Sequence, residues 1–198
     1  VVRDCERSAI RRHRGMDQYP PLCLSPVALI VLLGYSLTKR ATAWCHLVLG
    51  AALGIAPVGA YIAVTGHLFA IWPILMTGLV ITWVSGFDVI YALQDITFDR
   101  QQGLHSIPAR WGVRGALFIS VLLHLISVYA LITMGLFYGA GTFYWIGAAL
   151  FIGLLLFQHL YVTAKHYDRI GPAFGLLNGL TSVCFALFAI IDLYLHYR

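Results

Sequence analysis

The hydrophobic residues of this chain fall into long blocks separated by short charged stretches, and the blocks set the expected elements. A helix needs about 20 apolar residues to cross the hydrocarbon core of a bilayer. Six blocks approach that length: Leu22 to Leu37, Trp44 to Thr65, Ile71 to Ala92, Ala116 to Leu136, Phe143 to Thr163 and Ala173 to Leu195. The first is short and carries Pro26. The blocks lack the period-two alternation of an outer-membrane strand, so the pattern predicts an all-α, multi-pass transmembrane bundle of about six helices. Pro57 lies inside the second block and predicts a kink whose freed backbone groups are satisfied within the bundle. Gly50 with Gly54, and Gly175 with Gly179, form small-xxx-small pairs that read as marks of close helix packing.

Composition says what surrounds the bundle. Apolar residues make up 60% of the chain and charged residues 11%, against roughly 25% charged in an average soluble domain. The excess apolar surface needs a lipid bilayer as its partner. The cations then orient the chain. Lys39 and Arg40, then Arg100, Arg110 and Arg114, then Lys165 and Arg169 occupy alternate connections, whereas Gly66 to Ala70 and Phe137 to Thr142 carry no Lys or Arg. By the positive-inside rule the basic connections are cytoplasmic. The tail from Val1 to Gln18 carries Arg3, Arg7, Arg11, Arg12 and Arg14, yet an uninterrupted six-helix count puts it on the opposite side. It also lacks the apolar core of a signal peptide. With the cations spread over distant connections, the excess of positive charge is a membrane signature and nucleic acid is not a partner. Cys5, Cys23, Cys45 and Cys184 show no metal-binding or redox spacing and read as small apolar residues.

The chemistry concentrates in the longest polar connection, from about Leu93 to Gly112, and in the helix end before it. At about 100° per residue, Asp88, Asp95 and Asp99 fall on one narrow stripe, with Tyr91 beside it, if the third helix runs two turns past Ala92. Carboxylates so close repel one another and are costly beside hydrocarbon. A hard divalent cation resolves the conflict, and Mg²⁺ is typically held by one or two carboxylates together with substrate phosphates. The plainer alternative is a solvated loop whose acids pair with Arg100 and Arg110. Asp88 weighs against that alternative, because it lies within a predicted span and has no cation three or four residues on.

The pattern Asp-xx-Tyr-Ala-xx-Asp-xxx-Asp-xxx-Gly-xx-Ser, from Asp88 to Ser106, resembles the second aspartate-rich motif of the UbiA superfamily of intramembrane prenyltransferases. The wider segment from Gly86 to Gly112 is similar to the quinone-pathway branch, which includes 4-hydroxybenzoate polyprenyltransferases and their dihydroxynaphthoate-using relatives. Leu24 to Leu29 and Gly34 to Arg40 resemble the family's fourth helix and its basic end. The resemblance covers about residues 20–198. It implies helices four to nine of a nine-helix fold, in a multi-pass protein of the bacterial inner (cytoplasmic) membrane. It implies transfer of a polyprenyl group from its diphosphate to an aromatic acid. By position, Asp95 and Asp99 hold Mg²⁺ on the diphosphate, and Asp88 and Tyr91 line the same cavity. Tyr35, Lys39 and Arg40 face the diphosphate from the neighbouring helix end. Arg100 and Arg110 are further anion contacts or interface anchors.

The chain departs from the family in one respect. The family's first aspartate-rich motif has no counterpart, since Asp4, Glu6 and Asp17 sit in the Arg-rich tail without its spacing. Residues 1–19 are therefore expected to be unlike the family, the chain to be truncated, and catalysis to be impaired. Two other readings stand beside the enzyme: a non-catalytic membrane fragment, and an ion or solute transporter, which should carry acids or broken helices in both halves of an inverted repeat. His124 and His159 read as hydrogen-bonded bundle residues, and Asp192 as an interfacial acid without chemistry.

Overall fold

The computed structural model describes residues 26, 29–31, 33–34, 37–67, 69–163 and 170–196. The described residues between 26 and 38 are helical up to a turn at Lys39. Six helices follow: α1 (Cys45–Thr65), α2 (Ile71–Tyr91), α3 (Ile96–Gln101), α4 (Ile107–Tyr138), α5 (Thr142–Tyr161) and α6 (Pro172–His196), with a 3₁₀ turn at Ala92–Asp95 joining α2 to α3. Five stretches are long and apolar enough to cross a membrane: Cys45–Thr65, Ile71–Gln101, Ile107–Tyr138, Thr142–Tyr161 and Phe174–His196. They correspond to the last five expected spans. The span expected from Leu22 to Leu37 lies largely outside the described residues.

Two expectations are corrected. The connection from Leu93 to Gly112 is not a loop, because the 3₁₀ turn, α3 and the first turn of α4 occupy most of it. Ser106 caps α4 by accepting a hydrogen bond from the Ala109 amide at 3.2 Å, and Pro108 sits in the first turn, where its missing N–H costs nothing. Gly112, with φ 71° and ψ −179°, breaks α4 just after that turn. The second correction concerns the glycine pairs. A side chain at Gly50 would meet the Ser85 hydroxyl and the Ile81 carbonyl, and one at Gly54 would lie 2.6 Å from Ile81 Cγ1, so this pair lets α1 lie against α2. Gly175 and Gly179 face open space.

α2 packs against both α1 and α4, and α5 packs against α6. Lipid gives no hydrophobic drive for helix association, so close backbone contact and polar cross-links hold the bundle. Thr77 Oγ1 donates to the Gly54 carbonyl at 2.8 Å, one residue beyond the carbonyl that Pro57 leaves without its helical partner. Ser85 Oγ donates to the His46 carbonyl at 3.0 Å, and Ser120 Oγ donates to the Gly86 carbonyl at 2.7 Å. Thr82 and Ser127 share a hydrogen bond of 2.8 Å. His124 Nδ1 lies 2.8 Å from His159 Nε2 and joins α4 to α5, while Gln158 Nε2 donates to Asn178 Oδ1 at 2.8 Å and joins α5 to α6. Asp192 is buried, not solvated as expected: its Oδ2 accepts from the Gly141 amide at 2.8 Å, at the start of α5.

A mostly apolar cavity of about 300 Å³ opens at the end of the bundle where α2 begins, lined by Tyr61, Trp72, Met76, Tyr144 and Phe185 among others. Met76 and Asp88 are separated by about 18 Å along α2, taking a rise of about 1.5 Å per residue. The cavity and the aspartates thus lie towards opposite ends of one helix.

The glycine contacts give a direct test in detergent-solubilised protein. Gly50→Ala is expected to destabilise the fold by about 1–3 kcal/mol, the usual cost of overpacking. Gly179→Ala is expected to leave the melting temperature unchanged or slightly higher. Equal effects at the two positions would show that Gly50 is not a packing contact.

Candidate active site

The 3₁₀ turn decides how the three aspartates are presented. Each 3₁₀ residue turns the chain about 120° and not about 100°, so four such residues add roughly 80° of rotation between Asp88 and the acids beyond it. The single stripe expected for a continuous α-helix is therefore divided. Asp88 points to α1, where its Oδ2 lies 2.7 Å from His46 Nδ1. Asp95 and Asp99 point instead to the turn before α1 and share Lys39. The Lys39 Nζ donates to Asp99 Oδ1 at 3.0 Å and lies 3.7 Å from Asp95 Oδ2.

The two acids that share Lys39 differ in setting. The Asp95 side chain is 54% exposed, whereas that of Asp99 is wholly buried. Asp99 Oδ2 has no hydrogen-bond partner among the described residues. Gly103 supplies the left-handed backbone (φ 64°) that ends α3, and Leu104 N–H then turns back to the Asp99 carbonyl at 2.8 Å. The spacing Asp99-xxx-Gly103 thus fixes the acid from its backbone side. His105 N–H donates to the Lys39 carbonyl at 2.7 Å, and the Cys45 thiol lies 3.6 Å from the His105 carbonyl. Residues 103–106 are held against the segment that carries Lys39.

Burial opposes the charge on Lys39, but its hydrogen bond to Asp99 and the charges of Asp99 and Asp95 outweigh that effect. The ammonium is raised above its ordinary 10.5. A raised folded-state value means that this contribution to stability is fully present below pH 10.5 and is lost only at higher pH. The Lys39 ammonium is therefore charged throughout the neutral range.

The remaining expected residues are placed as follows. Arg40 is exposed in the turn beside Lys39, and Tyr91 is exposed at the last position of α2. Arg100 Nε donates to the Ala109 carbonyl at 3.1 Å, and the Arg110 guanidinium lies 5.0 Å from the centre of the Trp111 ring. Neither arginine is seen pairing with the aspartates, as the solvated-loop alternative required; Lys39 does so. Tyr35 lies outside the described residues. His46 was not among the expected residues: it lies in an apolar block, and its partner Asp88 is 42 positions away.

A resident divalent ion needs free carboxylate oxygens. Among the described residues no group of three or more His, Cys, Asp or Glu side chains forms a cage. The donor set that is present, one half-exposed carboxylate and one buried carboxylate with an unpartnered oxygen, fits Mg²⁺ that completes its shell with substrate phosphate and water.

Residues 18–189 match the model of the UbiA prenyltransferase family. The chain is 37% identical over 92 residues to 4-hydroxybenzoate solanesyltransferase of Synechocystis sp., covering 46% of this chain and 30% of that protein. It is 33% identical over 101 residues to the mitochondrial 4-hydroxybenzoate polyprenyltransferase of Drosophila melanogaster, covering 50% and 25%. The fold matches the apo structure of a UbiA homolog from Aeropyrum pernix K1 with a TM-score of 0.76 and 32% identity, over 87% of this chain and 64% of that one. The chain thus spans less than two thirds of each of these proteins.

Breaking the central ion pair tests the geometry without reference to activity. In a double-mutant cycle of Lys39→Met and Asp99→Asn, thermal unfolding in detergent is expected to report a coupling of about 1.5–3 kcal/mol, the range for hydrogen bonds to charged groups. Strictly additive effects would mean that the two side chains do not interact.

Proposed function

Because the chain belongs to the UbiA prenyltransferase family, we propose that it takes part in moving a polyprenyl group from its diphosphate to an aromatic acid of the 4-hydroxybenzoate type within the membrane. The observation that carries this reading is the pair Asp95 and Asp99, held by one lysine from the preceding helix end, with an unpartnered oxygen on the buried member. The names of the similar proteins support the acceptor class. The alternation of basic connections supports a cytoplasmic position for this end of the bundle.

In the proposed reaction Asp95 and Asp99 would hold Mg²⁺, which when bound supplies positive charge against the diphosphate oxygens. Lys39 and Arg40, with Tyr35 nearby in sequence, face the same anion. The allylic C–O bond breaks with its electron pair leaving on the diphosphate, and fixed cations that meet this charge lower the barrier. A ring carbon of the electron-rich acceptor then bonds to the allylic carbon, and the ring proton passes to the released diphosphate or to bulk water. Asp88 and Tyr91 would line the same cavity. Arg100 and Arg110, held by the Ala109 carbonyl and the Trp111 ring, stabilise the neighbouring turn. Apolar helices exclude water from the cation and accommodate the isoprenoid tail.

The first aspartate-rich motif has no counterpart in this sequence, so transfer by this chain alone is proposed to be weak. The test is a prenyl-transfer assay in membranes with Mg²⁺, an allylic polyprenyl diphosphate and 4-hydroxybenzoate or a dihydroxynaphthoate. It is run on the chain alone and on the chain joined to the upstream helices of a relative. Product that falls at least 100-fold in Asp95→Ala, and on chelation of Mg²⁺, is expected. Product only with the added helices would identify the chain as a fragment, inactive alone, of such an enzyme. Absence of product in both arms would refute the reading and leave the aspartates to ion or solute transport.

A further inference from the structure

Asp88 is held quite differently from the other two acids. His46 lies in the first turn of α1, buried, with Nδ1 2.7 Å from Asp88 Oδ2. On the opposite edge of the ring, Ile107 N–H points at Nε2 over 3.4 Å. Ile107 opens α4, so its N–H is one of those a helix start leaves without an intrahelical partner. In the neutral ring the nitrogen that faces a backbone donor is the acceptor, and the ring proton then sits on Nδ1, directed to the carboxylate. The His46 carbonyl in turn accepts from Ser85 Oγ, and Ser85 precedes Asp88 by one turn of α2. One residue therefore touches α1, α2 and the start of α4, and ends on a single oxygen of Asp88. The Asp88 side chain keeps 26% of its surface accessible.

We propose that His46 is a positioning residue for Asp88: it fixes one carboxylate oxygen through Nδ1–H, is itself fixed by the Ile107 amide, and so sets the direction in which Asp88 faces the reaction cavity. This rests on the reading of Asp88 as a residue of the reaction cavity. The motif around Asp88 carries no trace of the arrangement, because the ring that orients the acid comes from another helix. Groups that orient a working side chain in this way commonly contribute 10- to 100-fold, by the measure of partners that orient metal-bound histidines.

The two nitrogens can be tested separately. His46→Asn places an amide N–H near the Nδ1 position and keeps a donor for Asp88. His46→Gln places its amide near the Nε2 position and loses that donor. With the transfer-competent form of the chain, His46→Gln is expected to lower kcat about 10- to 100-fold with the KM for the diphosphate unchanged, since Lys39, Asp95 and Asp99 are untouched. His46→Asn is expected to recover most of the loss. Equal rates in both variants, or a matching rise in the KM for the diphosphate, would overturn the proposal. A second readout needs no turnover. In the full chain, labelled with ¹⁵N-histidine and held in lipid nanodiscs, His46 should show a proton on Nδ1 shifted downfield by a strong hydrogen bond. Asp88→Asn should move that signal upfield. A ring protonated at Nε2 alone, or a signal indifferent to Asp88→Asn, would overturn the proposal whatever the assay gives. If wild-type protein transfers no prenyl group in either arm of the assay, the reaction reading fails and the resonance result alone decides whether His46 orients Asp88.

Discussion

A carboxylate with no exposed surface, eight residues past the end of α2, is the constraint around which this end of the molecule is arranged. Asp99 cannot rely on water, and leaving an ion without a partner in such a setting costs several kcal/mol. Lys39 meets one of its oxygens from the preceding helix end. Reaching it requires the segment before α1 to lie against the turn after α3, where His105 N–H holds the Lys39 carbonyl; a second contact, Leu104 N–H on the Asp99 carbonyl, closes that turn. The left-handed Gly103 makes the second contact possible. The ion pair, the turn and the start of α4 thus form one interlocked unit, in which no member can shift without exposing or stranding another.

The same logic extends along α2. Its residues Thr77, Thr82, Ser85 and Asp88 each reach a polar partner on a neighbouring helix. Gly50 and Gly86 let those neighbours approach: Gly50 admits Ser85, and Gly86 leaves room for the His124 ring. In lipid these contacts replace the hydrophobic drive that would hold a soluble bundle. The outcome is a central helix fixed on two sides, so the aspartates at its end are presented by a rigid support.

How much of this the sequence disclosed depended on the range of the interaction. The five described spans were legible because a bilayer imposes one length on every crossing helix. The aspartates were legible as chemistry, because acids beside hydrocarbon need a reason. Their common stripe was not, because a 3₁₀ turn of four residues leaves no clear mark in an apolar pattern. The start of α4 was hidden in what read as a polar connection, although Ser106 and Pro108 are ordinary signals of a helix start. His46 and Asp88, and Lys39 and Asp99, are joined across 42 and 60 positions, and no local pattern encodes such pairs. The two glycine pairs have the same spacing, yet one packs and the other does not. Spacing marks a helix surface that could be approached, not the surface that is.

The arrangement of charge at the site bears on the proposed reaction. Lys39 lies between two carboxylates, and Arg40 is exposed in the turn beside it. Mg²⁺, were it held by Asp95 and Asp99, would add positive charge towards a diphosphate that the two cations would also face. The buried, unpartnered oxygen of Asp99 and the exposed carboxylate of Asp95 then have complementary parts. The first is held out of water without a partner, and the second is open to solvent. Lys39 keeps both in place beforehand, so the site holds its shape before anything binds. Electrostatic catalysis depends on such preorganisation, since groups already oriented need no rearrangement when charge develops on the leaving oxygen.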